Sequence, residues 1–253
     1  MTVATFLRSV SIVLCLTGRV LAQGNPSGAP ADWPEPVMDA EVRMVAIVDQ
    51  LEYRLNDGED ILRWEAEGWL GGDYNKVVFK TEGEYGPSSS SGDAEFQLLY
   101  GRTIAPFWDF QIGARQDVLY GPGPDHERTF GVIGVEGLAP YWFEVTPALF
   151  ISRDGDVSAR LETTYDLLLS QRLIAQPRFE INAAAQDARQ FGVESGVNNV
   201  ELGIRLRYEI RREFAPYVGF NWIRKIGDTA DLARREGEDV DVVGFIAGFR
   251  LWY

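Results

Sequence analysis

The sequence predicts an all-β fold, a transmembrane up-and-down antiparallel β-barrel of about twelve strands. Three observations support this prediction. Polar and apolar residues alternate with a period of two from Met44 to Tyr253, the connections between the alternating segments are long and short in turn, and aromatic residues gather near the short ones. Alternation places the apolar side chains on one face of a sheet, and that face can meet lipid when the sheet closes into a barrel.

The chain begins with a segment typical of an export signal. Arg8 supplies a positive charge, residues 11–18 form an apolar run, and small residues precede Gln23, as they do at a signal-peptide cleavage site. We therefore assign residues 1–22 to a signal peptide. The only cysteine, Cys15, lies within it, so the sequence indicates neither a lipid anchor nor a disulfide in the mature chain.

The segment that follows, residues 23–43, is rich in Pro, Gly, Ala and Asp and is predicted to be a flexible periplasmic arm. The barrel domain is assigned to residues 44–253. No stretch in it approaches the roughly 20 apolar residues that a transmembrane helix needs, and a spanning chain without helices has to close into a barrel. The strands are expected at 44–54, 60–70, 76–85, 94–103, 107–117, 129–138, 141–151, 157–169, 173–185, 198–209, 214–225 and 241–253.

The eighth of these segments illustrates the alternation. Its polar residues share one parity, namely Arg160, Glu162, Thr164 and Asp166. The opposite parity carries Leu161, Thr163, Tyr165 and Leu167. The charged residues of the second, fifth and tenth segments are separated in the same way: Arg63, Glu65 and Glu67; Asp109, Arg115 and Asp117; and Glu201, Arg205, Arg207 and Glu209. The apolar parity of the last segment contains Val243, Phe245, Ala247, Phe249, Leu251 and Tyr253.

Alternation alone does not show which face points inward, and a water-soluble barrel with an apolar interior is the alternative. The lengths of the connections argue against that alternative. Those after odd-numbered segments are longer and polar, for example 86–93, 118–128, 186–197 and 226–240. Most of those after even-numbered segments are tight, for example 104–106, 139–140, 170–172 and 210–213. Outer-membrane barrels have this asymmetry, with short periplasmic turns and longer outer loops.

The aromatic residues indicate the same orientation, because they lie where an interfacial belt would meet the tight turns. They are Trp69, Tyr74, Tyr100, Phe107, Trp108, Tyr141, Trp142, Phe143, Tyr208, Phe214, Trp252 and Tyr253. An even number of strands places both termini in the periplasm, and the charged parity then lines the lumen. Twelve strands lie between the filled barrels of about eight and the open porins of about sixteen, so we expect a narrow lumen crowded with charge pairs.

Acidic residues outnumber basic ones by 38 to 24. Removal of the predicted signal peptide also removes Arg8 and Arg19, so the mature chain would carry a net charge of about −16. Such a charge repels polyanions, which excludes nucleic acid as a partner, and it draws cations into an enclosed space.

Few residues are suited to metal binding or catalysis. His126 is the only histidine and lies in a predicted outer loop between Asp125 and Glu127, where it is either a weak metal ligand or a solvated loop residue. Met38 and Met44 are the only methionines of the predicted mature chain, and each is either a metal ligand or a packing residue. No serine is placed beside the histidine as a nucleophile, so we predict that the protein is not an enzyme.

Several long, Trp-rich strings stand out between residues 45 and 253. They include Trp64-Glu-Ala-Glu-Gly-Trp-Leu-Gly-Gly-Asp-Tyr-Asn-Lys, Ile104-Ala-Pro-Phe-Trp-Asp, Val135-Glu-Gly-Leu-Ala-Pro-Tyr-Trp-Phe-Glu, Tyr165-Asp-Leu-Leu-Leu-Ser-Gln-Arg-Leu and Leu206-Arg-Tyr-Glu-Ile-Arg-Arg-Glu-Phe-Ala-Pro-Tyr-Val-Gly. These strings resemble the bacterial copper-resistance protein B family. The resemblance implies an outer-membrane barrel that binds copper and helps to control its passage or sequestration, with copper ions, outer-membrane lipid and periplasmic copper-handling proteins as partners.

The copper ligands are a separate question. Members of that family often carry a His- and Met-rich amino-terminal extension, whereas residues 23–43 contain one Met and no His. Cu(II) stands at the top of the divalent affinity order, so lumen carboxylates can collect it weakly or transiently. The candidates are Glu65, Glu67, Glu82 and Glu84, with simple pairing to lumen Arg and Lys as the alternative. A narrow general pore or structural barrel without specific metal binding is the alternative function.

Overall fold

The computed structural model describes residues 41–122 and 126–253. The predicted signal peptide, Met38 and nearly all of the predicted periplasmic arm lie outside the described residues, so the assignments made for them stay predictions.

Antiparallel strands close into a barrel, and each of the twelve expected strands is present. The strands are β1 (Arg43–Asn56), β2 (Ile61–Gly71), β3 (Asn75–Gly86), β4 (Ser91–Ala105), β5 (Trp108–Tyr120), β6 (His126–Ala139), β7 (Phe143–Ser152), β8 (Val157–Tyr165), β9 (Leu167–Leu168), β10 (Leu173–Ala184), β11 (Gly196–Tyr208), β12 (Phe214–Lys225) and β13 (Asp241–Trp252). Consecutive strands pair around the wall, and β13 returns to β1. The prediction of an all-β barrel is therefore confirmed.

One expected strand, 157–169, is divided into β8 and the two-residue β9, and both pair with β10. The interruption lies at Asp166. Its carboxylate accepts hydrogen bonds from Gln176 Nε2 at 2.9 Å and Arg207 Nη2 at 2.6 Å. These bonds place the carboxylate among lumen side chains at the periplasmic end of the wall.

The closing seam between β1 and β13 contains a register shift. Ala46 and Tyr253 exchange backbone hydrogen bonds, N–H to C=O, at 2.8 Å in each direction. The pairing then shifts between Val48 and Leu51, which marks a β-bulge. A bulge changes the parity that faces inward, so Met44, before the shift, is 61% exposed, whereas Gln50, after it, is 1% exposed.

The distribution of apolar and charged residues is the reverse of that in a water-soluble protein. Outward residues such as Leu98 and Phe220 expose about three fifths of their surface, at 60% and 59%. Inward residues such as Glu52, Arg54 and Arg205 are at most 2% exposed. An apolar exterior around an ionised interior is the arrangement that a lipid environment stabilises, because each face then meets a medium of its own polarity.

The tight turns carry exposed aromatic residues. Phe107, Tyr141 and Trp142 have φ angles of 67°, 69° and 69°, in the left-handed region that bulky residues rarely adopt. All three are more than two thirds exposed, at 68%, 83% and 71%. This position fits an interfacial belt at the periplasmic rim.

The longest connection, residues 226–240, contains a helix that the sequence analysis does not predict. Helix α1 (Gly227–Glu236) has Asp228 in its first turn and ends at Gly237, whose left-handed φ lets its N–H donate to Ala233 C=O. The helix packs closely over the outer end of the barrel, since four of its residues are buried: Thr229, Ala230, Leu232 and Ala233.

Among the described residues, no helix is long and apolar enough to cross a membrane.

Candidate functional site: a charged lumen

Ion pairs from seven strands cross the lumen in a band that we call the central layer. It consists of Glu52, Arg54, Arg63, Glu65, Glu82, Glu95, Arg160, Arg178, Glu201 and Arg205. Each of these side chains belongs to the inward parity of its strand, so strands that are not neighbours in the wall meet through their charges.

The part of the central layer between β1 and β11 excludes water. Glu52 accepts hydrogen bonds from Arg54 Nε at 2.7 Å, from Arg205 Nε at 3.0 Å and from Tyr217 Oη at 2.9 Å. Arg54 also donates to Glu201 Oε1 at 3.1 Å. A buried carboxylate is stabilised as an ion only when it is paired and hydrogen-bonded in this way.

Two further arginines extend the layer towards β3 and β10. Arg63 donates from Nη1 to Glu84 at 2.8 Å and from Nη2 to Glu82 at 3.3 Å. Arg178 donates from Nη1 to Glu65 at 2.8 Å. Three of the four glutamates proposed as copper ligands are therefore engaged by arginine.

Arg160 forms the remaining part of the layer. It donates from Nη1 to Glu82 and from Nη2 to Glu95, the latter at 3.0 Å. Arg115 also pairs with Glu95, at 2.8 Å. The guanidinium groups of Arg115 and Arg160 lie 4.4 and 5.6 Å from the ring centre of Phe150, within the range of a cation–π contact.

On the periplasmic side of the central layer is a cavity of about 450 Å³, which we call the inner cavity. Nine carboxylates line it against four basic side chains. The carboxylates are Asp49, Glu65, Glu67, Glu82, Glu95, Asp109, Glu136, Glu144 and Glu162. Lys80 pairs with Glu136 and lies 3.6 Å from Glu67, whereas Glu144 accepts only a hydroxyl bond, from Thr164 at 2.9 Å, among the contacts found in the described part of the chain.

On the opposite side is a second cavity, of about 380 Å³, which we call the outer cavity. Seven carboxylates line it against four arginines. The carboxylates are Glu82, Glu84, Asp93, Glu95, Asp117, Asp156 and Glu180. Both cavities thus carry more negative than positive side chains, which raises the local concentration of cations and lowers that of anions.

The rim of the outer cavity is closed in part by the loop at 185–195. Phe191 of this loop lines the cavity and contacts the edge of His126, with ring centres 6.2 Å apart, and the guanidinium of Arg128, 4.4 Å away. The loop is tied internally, since Asp187 accepts a hydrogen bond from the Ser195 backbone N–H at 2.9 Å. That bond lowers the pKa of Asp187, because it stabilises the ionised carboxylate.

The candidate ligands are not gathered in one place. Glu65, Glu67, Glu82 and Glu84 face the lumen. Met44 lies on the outward face opposite Leu70, and His126 lies at the outer rim. Within residues 41–122 and 126–253, no group of three or more His, Cys, Asp or Glu side chains is arranged to hold a metal ion.

The sequence analysis does not predict that Glu95, Arg160 and Arg178 form ion pairs across the lumen. Their parity marks them as inward-facing, and that is the signal the sequence offers. Their partners lie on strands across the lumen, 65 residues away for Arg160 and Glu95 and 113 for Arg178 and Glu65. Such pairs depend on strand number and stagger, which no local pattern contains.

An apolar exterior, a charged lumen and closed antiparallel strands define an outer-membrane β-barrel. Solved structures support this class. The NanC porin matches with a TM-score of 0.53 and 9% identity, over 81% of this chain and 98% of that one. The KdgM porin in complex with disordered oligogalacturonate matches with a TM-score of 0.50 and 9% identity, over 82% and 98%. At this identity the likeness concerns the fold alone.

The sequence comparisons identify the family. A family model described as copper resistance protein B precursor matches residues 42–253. Copper resistance protein B of Escherichia coli is 42% identical over 235 residues, which cover 93% of this chain and 76% of that protein. The copper resistance protein B homolog of Pseudomonas syringae pv. tomato is 40% identical over 218 residues, covering 86% and 72%. The chain belongs to the copper resistance protein B family, is located in the bacterial outer membrane and has a role in copper resistance.

Proposed function

We propose that the barrel binds copper ions weakly and takes part in copper homeostasis, by sequestering them or by passing them across the outer membrane through its acidic lumen. Family membership supports the role in copper resistance. The observation that carries the proposed mechanism is the surplus of carboxylates in both cavities, nine against four in the inner one and seven against four in the outer one.

The proposed glutamate ligands differ in how closely each carboxylate is paired with a basic side chain. Glu65, Glu82 and Glu84 each have an arginine nitrogen within 3.3 Å, so a copper ion would have to displace a guanidinium from them. Glu67 is 3.6 Å from Lys80, which pairs more closely with Glu136. Glu67 is therefore the proposed ligand that a passing cation reaches most easily, and Glu144 lines the same cavity.

The other proposed ligands stand apart from this route. Met44 faces lipid, and a thioether there does not meet ions in the lumen. His126 lies at the rim, where it is a candidate first contact for copper arriving from outside. Met38 remains a candidate copper ligand. Its predicted location in the periplasm makes periplasmic copper-handling proteins candidate partners.

A deletion strain complemented with plasmid-borne variants tests the proposal. We expect loss of the gene to lower copper tolerance and to change the amount of copper in the envelope, and the wild-type gene to restore both. The double variant Glu67→Gln with Glu144→Gln should restore copper tolerance and envelope copper only in part. The control, Glu213→Gln with Glu236→Gln, changes two exposed glutamates and should restore both quantities fully. Wild-type tolerance and envelope copper in the deletion strain would refute the proposal.

A narrow general pore is the second candidate function, and the porin-like fold favours it. The two functions differ in their dependence on copper. In proteoliposomes, a general pore would pass small cations at a rate that copper leaves unchanged, whereas a copper-binding lumen would show slower passage of other cations when Cu(II) occupies its carboxylates.

A further inference from the structure

The inner and outer cavities are separated by a thin wall of side chains. Four residues line both cavities: Glu82, Glu95, Phe150 and Arg160. An ion that moved along the barrel axis from one cavity to the other would pass these four side chains. They therefore mark the boundary between the two cavities.

Arg160 reaches across the barrel at this boundary. It starts from β8, whose neighbours in the wall are β7 and β10, and it ends on Glu82 of β3 and Glu95 of β4. Because β5, β6 and β7 separate β4 from β8 in the wall, the guanidinium spans the lumen. It also places a positive charge at the position that a cation would have to cross.

Three other arginines of the central layer have almost no exposed surface, and the fourth, Arg63, is 9% exposed and borders the outer cavity alone. The side chains of Arg54, Arg178 and Arg205 are 0%, 1% and 2% exposed, and each is held among buried carboxylates. The side chain of Arg160 is 18% exposed and borders a cavity on each side. Of these bridging side chains, Arg160 has the most open space beside it.

A second position for Arg160 is available on its own side of the barrel. Its Nε already lies 3.2 Å from Asn182 Oδ1 and 3.8 Å from Glu180 Oε1, both on the adjacent β10. A guanidinium that moves from Glu82 and Glu95 to Glu180 stays paired with a carboxylate, which it then shares with Arg178, whose Nη2 donates to Glu180 Oε2 at 3.0 Å. The movement would remove one of the two arginines that pair with each of Glu82 and Glu95, leaving Arg63 on Glu82 and Arg115 on Glu95. The positive charge between the cavities would fall, which favours the entry of a cation.

We propose that Arg160 is the gate of the lumen. With its guanidinium on Glu82 and Glu95 the cavities are separate and the constriction is positive; with its guanidinium on Glu180 they join into one path lined by carboxylates. The gate rests on the proposed passage of cations through the lumen, and it applies to any small cation.

Single-channel recording in planar bilayers with KCl on both sides tests the gate without copper. Arg160→Ala should raise the mean conductance by roughly tenfold, which corresponds to a barrier lower by about 1.4 kcal/mol. Glu82→Gln with Glu95→Gln removes the partners of Arg160 in the closed position. We expect this double variant to keep Arg160 on Glu180 for more of the time and so to raise the fraction of time that the channel is open. Arg160→Gln serves if the alanine variant does not fold, since its amide keeps much of the volume and lacks the charge.

The matched control is Arg224→Ala. Arg224 lies outside both cavities and forms an exposed pair with Asp241 at 3.2 Å, so its removal should leave the conductance at the wild-type value. The proposal is overturned if Arg160→Ala and Arg160→Gln both have the wild-type conductance. It is also overturned if Arg224→Ala raises the conductance as much as Arg160→Ala does. A rise in potassium conductance combined with wild-type copper tolerance in the deletion strain would uphold the gate and reject the copper function.

Discussion

Arg205 of β11 and Glu52 of β1, 153 residues apart in the chain, form a two-point ion pair inside the barrel. Arg205 Nε donates to Glu52 Oε2 and Arg205 Nη2 donates to Glu52 Oε1, both at 3.0 Å. Their side chains are 2% and 0% exposed. The pair joins two strands that β12 and β13 separate in the wall, so it ties together the two sides of the closing seam.

Removal of Glu52 should destabilise the barrel strongly. Glu52→Ala leaves both Arg54 and Arg205 without their shared carboxylate in a place that water does not reach, and breaking a buried pair in this way costs about 3–5 kcal/mol. Urea unfolding of the protein in lipid vesicles, followed by tryptophan fluorescence, measures the change in the free energy of unfolding.

The control is Asp231→Ala, which removes the exposed pair with Arg234 on α1. Exposed pairs contribute about 0–1 kcal/mol, so this variant should unfold close to the wild type. Equal free energies of unfolding for the two variants would contradict the assignment of Glu52 as a central stabilising residue.

A charge on the lipid face should be costly in proportion to its depth. Leu202 lies at the centre of β11 and is 44% exposed, and Val197 lies near the outer end of the same strand and is 40% exposed. Leu202→Arg should lower stability by about 2–4 kcal/mol and Val197→Arg by about 0–1 kcal/mol. Urea titration of both variants in vesicles checks the difference, and a cost at Val197 that equals the cost at Leu202 would contradict the membrane orientation.

The carboxylates of the inner cavity should give the lumen its preference for cations. Glu67→Gln with Glu144→Gln removes two negative charges from a cavity that has nine carboxylates. We expect the reversal potential in a KCl gradient to shift towards zero, because fewer fixed charges attract potassium. Glu213→Gln with Glu236→Gln removes two charges outside the inner cavity and should leave the reversal potential unchanged; a shift of the same size in this control would exclude the inner cavity as the source of selectivity.

The loop at 185–195 should respond to acid through Asp187. The Ser195 N–H bond lowers the pKa of this carboxyl below its ordinary value of 3.8, so the folded loop favours the ionised form. The contribution to loop order is therefore complete above the ordinary pKa and is lost as the pH falls through the lowered one.

Nuclear magnetic resonance of protein labelled with ¹⁵N-serine can follow this change. The Ser195 amide signal should titrate with a midpoint below pH 3.8 and should move at neutral pH in Asp187→Asn. A midpoint above 3.8 would show that the carboxylate is not held by the amide.

Much of the fold is present in local sequence patterns. The alternation of Arg160, Leu161 and Glu162 assigns each side chain to a face without knowledge of its neighbours, because successive residues of a strand point to opposite sides. Connection lengths then indicate the orientation in the membrane. Helix α1 was missed because it lies in a segment interpreted as a polar loop, and the shift at Val48 was missed because a bulge interrupts the period of two by one residue.

The candidate site could be predicted only in part. Parity places Glu65, Glu82 and Glu95 in the lumen, but it does not say which arginine reaches each carboxylate. Arg160 meets Glu82, 78 residues away, because twelve strands of this stagger bring β8 opposite β3. The sequence by itself therefore determined the strands, their two faces and the acidic character of the interior. The tertiary structure decided which charges pair and which side chains lie between the two cavities, because those contacts exist only once the wall has curved round on itself.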